Sequence, residues 1–142
     1  MIDPRLEKDN SVRLLLAWLI ALGSTLAALF IGEILGQTPC LLCWYQRIAM
    51  FPMAIILGIG FYQNDLSSAT YAKPLAWAGF AIAAWHVGLY FGWISAALIP
   101  CGKGPSCTDA KMTILGMPIP VLALAAFTVI LILLHTLKGR RT

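Results

Sequence analysis

Charged side chains are scarce in this chain. They make up 11% of its 142 residues, whereas a soluble domain carries about 25%. Hydrophobic residues make up 60% and the mean hydropathy is +0.83. These values exclude an ordinary soluble protein and predict an integral membrane protein. Because each membrane-spanning helix needs about 20 residues, the apolar segments use most of the chain, and we predict a single membrane domain over residues 1–142.

The chain also lacks the features of a nucleic-acid-binding protein and of a secreted one. Its net charge of +4 comes from basic residues at the ends of apolar segments, where they orient a membrane protein. The first apolar run, Val12 to Leu35, has no convincing small-residue cleavage site and is too long for a signal-peptide core. We therefore predict a retained helix, membrane lipid as a partner, and no nucleic-acid partner.

Four apolar segments predict an all-α bundle of four transmembrane helices, at about residues 12–35, 41–62, 74–98 and 119–137. Pro52 falls inside the second helix, where a proline removes a backbone hydrogen bond. The polar stretch 63–73 and the Pro- and Gly-rich stretch 100–109 predict loops.

Basic residues predict the orientation of this bundle. Four helices place both termini and the 63–73 loop on one side of the membrane. That side carries Arg5, Lys8, Arg13, Lys73, Lys138, Arg140 and Arg141. The other side carries Arg47, Lys103 and Lys111. The larger basic group predicts cytoplasmic termini, so the two loops that carry cysteine pairs face outward, where disulfides form and persist.

A C-x-x-C motif, Cys40 to Cys43, stands at the start of the second helix. Residues at i and i+3 in the first turn face the same side and can close a disulfide. Pro39 is expected to begin this helix, and free N–H groups there, together with Arg47, would stabilise a thiolate. The motif favours redox chemistry, although a structural disulfide or half of a zinc site has the same spacing.

The second cysteine pair, Cys101 and Cys107, lies in the outer loop with flexible neighbours. Four cysteines allow three connectivities, and pairing within each motif is the most plausible by proximity. A small exposed ring suits thiol–disulfide exchange better than it suits structural stapling. The arrangement predicts an electron path from a soluble dithiol through the loop pair and the C-x-x-C pair into the membrane.

Three ionisable residues within apolar segments are candidates for function. His86 could contact a bound cofactor, relay a proton, or make one hydrogen bond between helices. Arg47 could face a bound anion, thiolate or quinone oxygen, or extend to the head groups. Glu33 could be functional or could be an interfacial carboxylate that reaches water.

Together these features resemble the bacterial DsbB/BdbC membrane thiol oxidases, the disulfide-bond-formation protein B family. The resemblance rests on four helices, C-x-x-C-x-x-x-Arg at the start of the second, the outer-loop cysteine pair, and Ile119-Pro120 at the start of the fourth. It implies a protein-dithiol:quinone oxidoreductase of the bacterial cytoplasmic (inner) membrane. Such an enzyme reoxidises a DsbA-like thioredoxin-fold protein and passes electrons to ubiquinone or menaquinone.

The same resemblance implies roles for the four cysteines. Cys101 would form the mixed disulfide with the partner, and Cys107 would be its disulfide mate. Cys43 would contact the quinone, and Cys40 would be the partner of Cys43.

It further implies that Arg47 supports the quinone and the thiolate, and that His86 lies near the position of a family histidine that binds the cofactor. The short spacing of the loop pair resembles the BdbC branch rather than members with a long loop.

Other interpretations of the cysteines stay open. Vitamin K epoxide reductases also combine a membrane C-x-x-C with loop cysteines and a quinone, although their active pair usually lies in the last helix. A four-cysteine zinc site would have compatible spacings, but the outer-face location favours disulfides, so we assign no metal ligand. Electron flow in the opposite direction would leave the same pattern, because sequence does not show redox potentials.

Overall fold

The computed structural model describes residues 3–98, 106–108 and 113–138, and this part of the chain is mostly helical. Its long helices are α1 (Pro4–Leu29), α2 (Leu41–Gln63), α3 (Ser68–Tyr90) and α4 (Ile119–His135). Shorter elements are a π-helical segment at Phe30–Ile34, a 3₁₀ turn at Ala96–Leu98, and the strands β1 (Thr113–Ile114) and β2 (Met117–Pro118). The two strands pair in an antiparallel hairpin directly before α4.

The four helices pack side by side in a closed ring. Helix α2 contacts α1 and α3, and α4 contacts α3 and α1. Phe127 of α4 is fully buried, and its ring lies against Gly79 of α3 so closely that a Cβ at position 79 would overlap it. This contact brings α3 and α4 together, as small residues do at helix interfaces in membranes.

At one end of the bundle, side chains of α1 form hydrogen bonds with backbone groups of the residues that follow α4. Asn10 exchanges two hydrogen bonds with the backbone of Lys138, at 3.0 and 3.2 Å. Arg13 donates to the carbonyl of Thr136. We call the Asn10–Lys138 pair the clasp, because it fastens α1 to the residues that follow α4.

Helix α1 begins at Pro4, so the prediction of a start at residue 12 was wrong. The Asp3 side chain accepts a hydrogen bond from the Arg5 N–H, and proline occupies the first helical position. Both features favour a helix N-terminus. Together they extend the helix through a stretch whose polarity suggested a surface segment.

The predicted span 74–98 was also wrong for α3, which covers Ser68–Tyr90. Pro74 lies in its second turn rather than at its start. The loop from α2 is short because Asn64 adopts a left-handed conformation (φ 53°) and the Asp65 carboxylate accepts hydrogen bonds from Ser67. Gly92, with φ +74°, follows the far end of α3, where the chain turns.

Helix α2 begins at Leu41, which agrees with the predicted span 41–62, although its N-cap residue is Cys40 and Pro39 lies just before it rather than in its first turn. Cys40 has an extended backbone conformation, with φ −71° and ψ 169°. The residue before the first helical turn is therefore a cysteine, and Pro52 lies inside the helix as predicted.

Two stretches of the described chain are long and apolar enough to cross a membrane, namely Pro4–Ile34 and Leu41–Gln63. The outward face of α2 carries large apolar side chains, with Ile48, Ile55 and Ile59 exposed by 62%, 65% and 51%. Such a surface is unfavourable in water. These features are those of a membrane protein, while the number of spanning helices stays a prediction.

Candidate active site

Cys40 and Cys43 form a close pair of thiols at the start of α2. Their sulfur atoms lie 3.3 Å apart, whereas a disulfide bond is about 2.05 Å long. Both cysteines are free. Cys40 is fully buried and Cys43 is partly exposed. The spacing of one helical turn therefore places the two sulfurs where oxidation can join them with a small movement.

The surroundings of Cys40 favour its thiolate form. The hydrogen bond with the Cys43 thiol, together with the hydrogen bond with His86, lowers the pKa of Cys40 well below its ordinary 9.0 against the cost of burial. A thiolate is the nucleophile in disulfide exchange. Cys40 can therefore react at neutral pH.

His86 connects three parts of the site. It is fully buried on α3. Its Nε2 lies 3.0 Å from the carbonyl oxygen of Cys107 and 3.8 Å from Sγ of Cys40, and its Nδ1 lies 3.2 Å from the amide nitrogen of Gln46. In this arrangement the Gln46 amide donates to Nδ1, and Nε2–H donates to the carbonyl. The contact with Gln46 joins α3 to α2, which is the hydrogen bond between helices that the sequence analysis gave as one alternative; cofactor contact and proton relay stay predictions.

Cys107 is fully buried and disulfide-bonded. It packs in one apolar cluster with Cys40, Leu42 and Leu89. The loop cysteine and the buried cysteine of the C-x-x-C motif are thus neighbours, as an exchange between the two pairs requires. Cys101 lies outside the described residues, so the predicted Cys101–Cys107 pairing stays a prediction.

The disulfide at Cys107 also bears on the four-cysteine zinc site that the spacings allow. A disulfide sulfur carries no thiolate charge and is not a zinc ligand. In this structure Cys107 therefore cannot complete a four-cysteine site.

A cavity of about 200 Å³ opens beside Cys43, between α1, α2, α4 and β1. Its walls are mostly apolar, with small alanine side chains on α1 and larger apolar side chains on α2 and α4. Its polar side chains come from α1, the 37–38 segment and α2: Ser24, Gln37, Thr38, Gln46 and Arg47. Apolar walls with a few polar groups are typical of small-molecule sites.

Arg47 points into the protein at this cavity. Its Nη2 donates to the carbonyl of Ala28 over 2.8 Å, and its guanidinium lies 5.5 Å from the centre of the Trp44 ring. A Cβ at Gly32 would come within 3.2 Å of Nη2, so the glycine leaves room for the guanidinium. Arg47 thus bonds to the backbone of α1, and both its support of a quinone or thiolate and its extension to the head groups stay predictions.

Two contributors to the site were missed in the sequence analysis. Gln46 is buried, lines the cavity and holds His86. Its position three residues after Cys43, on the same helix face, was a usable signal. Gly32 lies in the π-helical segment, and no local sequence pattern indicates that it faces Arg47. Glu33 is exposed, which agrees with the interfacial alternative.

Similar proteins carry consistent names. The family model described as "Disulfide bond formation protein DsbB" matches residues 10–137. A probable disulfide formation protein of Metapseudomonas resinovorans is 52% identical over 131 residues, which cover 91% of each chain. Disulfide bond formation protein C of Bacillus subtilis (strain 168) is 37% identical over 136 residues, or 95% of this chain and 99% of its own. No solved structure matches the chain.

Proposed function

The chain belongs to the DsbB family of disulfide bond formation proteins, and from this we propose that it reoxidises a DsbA-like thioredoxin-fold protein and passes the electrons to a membrane quinone. Membership in the family makes it an oxidoreductase of disulfide generation. One observation supports the finer proposal most directly. Cys43 lines a mostly apolar cavity with Arg47, while its neighbour Cys40 packs against the disulfide-bonded Cys107.

The first steps are thiol–disulfide exchanges. A thiolate of the soluble donor attacks Cys101 of the loop disulfide and releases Cys107 as a thiolate. The second donor thiol then attacks its partner sulfur in the mixed disulfide, which leaves the donor oxidised and the loop pair as two thiols. Each step exchanges one S–S bond for another, so electrons are conserved.

The second exchange moves the electrons to the C-x-x-C pair. The Cys107 thiolate attacks Cys40 of the Cys40–Cys43 disulfide, and Cys43 leaves as a thiolate. Cys101 then attacks Cys107, which restores the loop disulfide and frees Cys40. In the end state Cys107 is again disulfide-bonded, while Cys40 and Cys43 are thiols; free Cys40 and Cys43 beside a disulfide-bonded Cys107 are compatible with this end state. The shared apolar cluster supplies the proximity that the attack requires.

The cavity residues fit a quinone ring. When bound, a quinone accepts two electrons and two protons from the dithiol. The alanines of α1 leave space for a flat ring, the Cys43 sulfur reaches the same space, and Gln46 and Arg47 supply donors for carbonyl oxygens. The fixed charge of Arg47 stabilises negative charge that develops at a nearby oxygen, and it needs little reorganisation because Ala28 already holds it.

The proposed topology has four spanning helices, cytoplasmic termini and both cysteine pairs on the outer face of the bacterial inner membrane. The distribution of basic residues supports it. The length and hydropathy of α1 and α2 support it as well. Helix α4 has 17 residues, which span about 26 Å and come close to the hydrocarbon thickness of about 30 Å.

The deciding experiment follows quinone absorbance with purified protein in detergent, a reduced thioredoxin-fold donor and a soluble quinone. We expect Cys43→Ser to abolish quinone reduction, because Cys43 is the exit for electrons. Thr128→Ala, which removes a hydroxyl that bonds within α4 to the carbonyl of Leu124 and does not line the cavity, is the control and should retain activity. Normal turnover in Cys43→Ser would contradict the proposal.

A separate variant tests the entry of electrons. Cys101→Ser should still bind quinone in equilibrium dialysis but should no longer oxidise the donor. If the donor is oxidised at the full rate in this variant, the route through the loop pair is wrong.

A further inference from the structure

The dithiol site contains a third potential metal ligand beside the two cysteines. We propose that, in its dithiol form, this protein binds one thiophilic d¹⁰ divalent ion such as Zn²⁺ through Cys40, Cys43 and His86, and that the ion blocks electron transfer. This is inhibition of one redox state rather than a resident cofactor. Its binding test uses neither quinone nor donor, so it can fail independently of the proposed function.

The positions of the three side chains carry the inference. The two sulfurs and the His86 ring nitrogen all lie within 4.8 Å of one another. The sulfurs are 3.3 Å apart, and Sγ of Cys40 is 3.8 Å from Nε2. A tetrahedral zinc ion with its usual Zn–S and Zn–N lengths needs ligand atoms about 3.6–3.8 Å apart. Only small side-chain movements are therefore needed to close the site around an ion.

The chemistry of the donors restricts which ions fit. Two thiolates and one imidazole form a soft and borderline set that suits Zn²⁺ and disfavours Mg²⁺ or Ca²⁺. Cys40 and His86 are fully buried, so bound ions are shielded from competing water on that side. Three protein ligands leave a fourth position for water or another small ligand.

Gln46 can hold His86 by a hydrogen bond both without an ion and when His86 ligates one. In the structure Nε2 lies 3.0 Å from the Cys107 carbonyl, and the amide nitrogen of Gln46 lies near Nδ1. Ligation through Nε2 requires the ring proton to move to Nδ1. The Gln46 amide then turns so that its oxygen accepts this proton's hydrogen bond, which is the usual outer partner of a metal-bound histidine. A single side chain thus serves both tautomers.

Binding depends on the redox state of the pair. The dithiol form supplies two thiolates, and the ion displaces the remaining thiol protons into solvent while no electron moves. A Cys40–Cys43 disulfide has no thiolate to offer. When the ion is bound, Cys43 is no longer free at the cavity and Cys40 is no longer free beside Cys107. The ion therefore holds the enzyme in the reduced state until it is removed.

The test isolates the proposed site with the full-length Cys101→Ser/Cys107→Ser double variant, which retains only Cys40 and Cys43. The reduced protein is titrated with Zn²⁺ against a chromophoric chelator. We expect one Zn²⁺ per chain. After oxidation of the same sample to the Cys40–Cys43 disulfide, we expect none, and this comparison needs no further variant.

His86→Ala in the double variant should weaken Zn²⁺ binding at least about tenfold, because loss of an outer partner alone usually costs about 10- to 100-fold. His135→Ala is the matched control. That histidine lies on α4 against Trp77 and should leave affinity unchanged. If His86→Ala does not stay folded, X-ray absorption of the Zn²⁺-loaded double variant decides, with two sulfur ligands and at least one nitrogen ligand expected.

Three results would overturn the proposal. The first is absence of binding to the reduced double variant when the reduced wild type binds, which would indicate a site built from all four cysteines. The second is binding that survives oxidation. The third is a Zn²⁺ affinity that is unchanged in His86→Ala, or an X-ray absorption spectrum that shows no nitrogen ligand.

Discussion

At the scale of single residues, the reactivity of Cys40 depends on the second cysteine of its motif and on a histidine from another helix. The sequence suggested that the helix start and Arg47 would favour a thiolate. In the structure, the Arg47 guanidinium donates to the carbonyl of Ala28. The hydrogen bonds that lower the pKa of Cys40 come from the Cys43 thiol, from His86 and from the Cys43 N–H in the first turn, so the expectation about the helix start is confirmed. The reactive sulfur is therefore sensitive to changes at these two side chains.

A pH titration tests this assignment. Because the hydrogen bonds of Cys40 hold its folded pKa well below the ordinary 9.0, the stabilisation by its thiolate is complete above 9.0 and is lost as the pH falls through the lowered folded pKa. The ultraviolet absorbance of the thiolate reports the ionised fraction in the folded protein, so in the reduced Cys101→Ser/Cys107→Ser protein it should rise with a midpoint well below 9.0. Cys43→Ala should raise the midpoint of the Cys40 titration, because it removes the thiol hydrogen bond that lowers the pKa of Cys40 most. A midpoint near 9.0 in the double variant that still has Cys43 would contradict the conclusion that Cys40 is a stabilised thiolate.

A second residue-scale prediction concerns Arg47. Hydrogen bonds to charged groups contribute about 1.5–3 kcal/mol, so Arg47→Ala should raise the apparent KM for quinone roughly 10- to 100-fold. Arg47→Lys should have a smaller effect, because it keeps the charge but not the planar donor group. Arg13→Ala, which removes a guanidinium bonded to Thr136, should leave the KM unchanged. An unaltered KM in Arg47→Ala would favour a purely structural role.

At the scale of the helices, local signals predicted some ends well and others poorly. Helices α2 and α4 follow the predictions within two residues, because Cys40 and Pro118 precede continuous apolar runs. Helix α3 does not, because Pro74 looked like a start although Asp65 organises the chain earlier. The start of α1 was predicted wrongly because the Asp3 cap outweighs hydropathy there, and the start of α3 was predicted wrongly because the Asp65 turn lies before it.

The π-helical segment shows why part of the site was not predictable. Arg47 meets Ala28 across 19 positions of the chain, and Gly32 faces the same guanidinium. These contacts exist only after α1 and α2 pack. Sequence patterns found the cysteines and the arginine because their chemistry is local, but they could not find the backbone that holds the arginine.

The contact between α3 and α4 gives a prediction at the same scale. Gly79→Ala should destabilise the protein by about 1–3 kcal/mol, as overpacking does, because its Cβ would overlap Phe127. Gly23→Ala is the control, since a Cβ there meets nothing within 4 Å and alanine favours a helix by up to about 1 kcal/mol. Thermal unfolding in detergent measures both. Equal stability of the two variants would mean that α3 and α4 can move apart to accommodate the added methyl group at no cost in stability.

For the whole molecule, the proposed orientation can be tested in bacterial cells. A green fluorescent protein at the C-terminus should fluoresce, and alkaline phosphatase at the same place should be inactive, because the basic termini stay in the cytoplasm. Phosphatase inserted after Ser106 should be active and serves as the control. An active C-terminal phosphatase would reverse the orientation and place the cysteines in a reducing compartment.

The clasp between Asn10 and Lys138 has a consequence for the order of events during biosynthesis. Helices leave the ribosome one after another, and α4 follows α1, α2 and the residues around Cys107. The cavity takes walls from α1, α2 and α4, so a nascent chain carries all its sulfurs before the cavity is complete. Closure of the ring by the clasp therefore comes after all four cysteines have been made, and under the proposed function the cysteine pairs exist before the cavity that would take their electrons is complete.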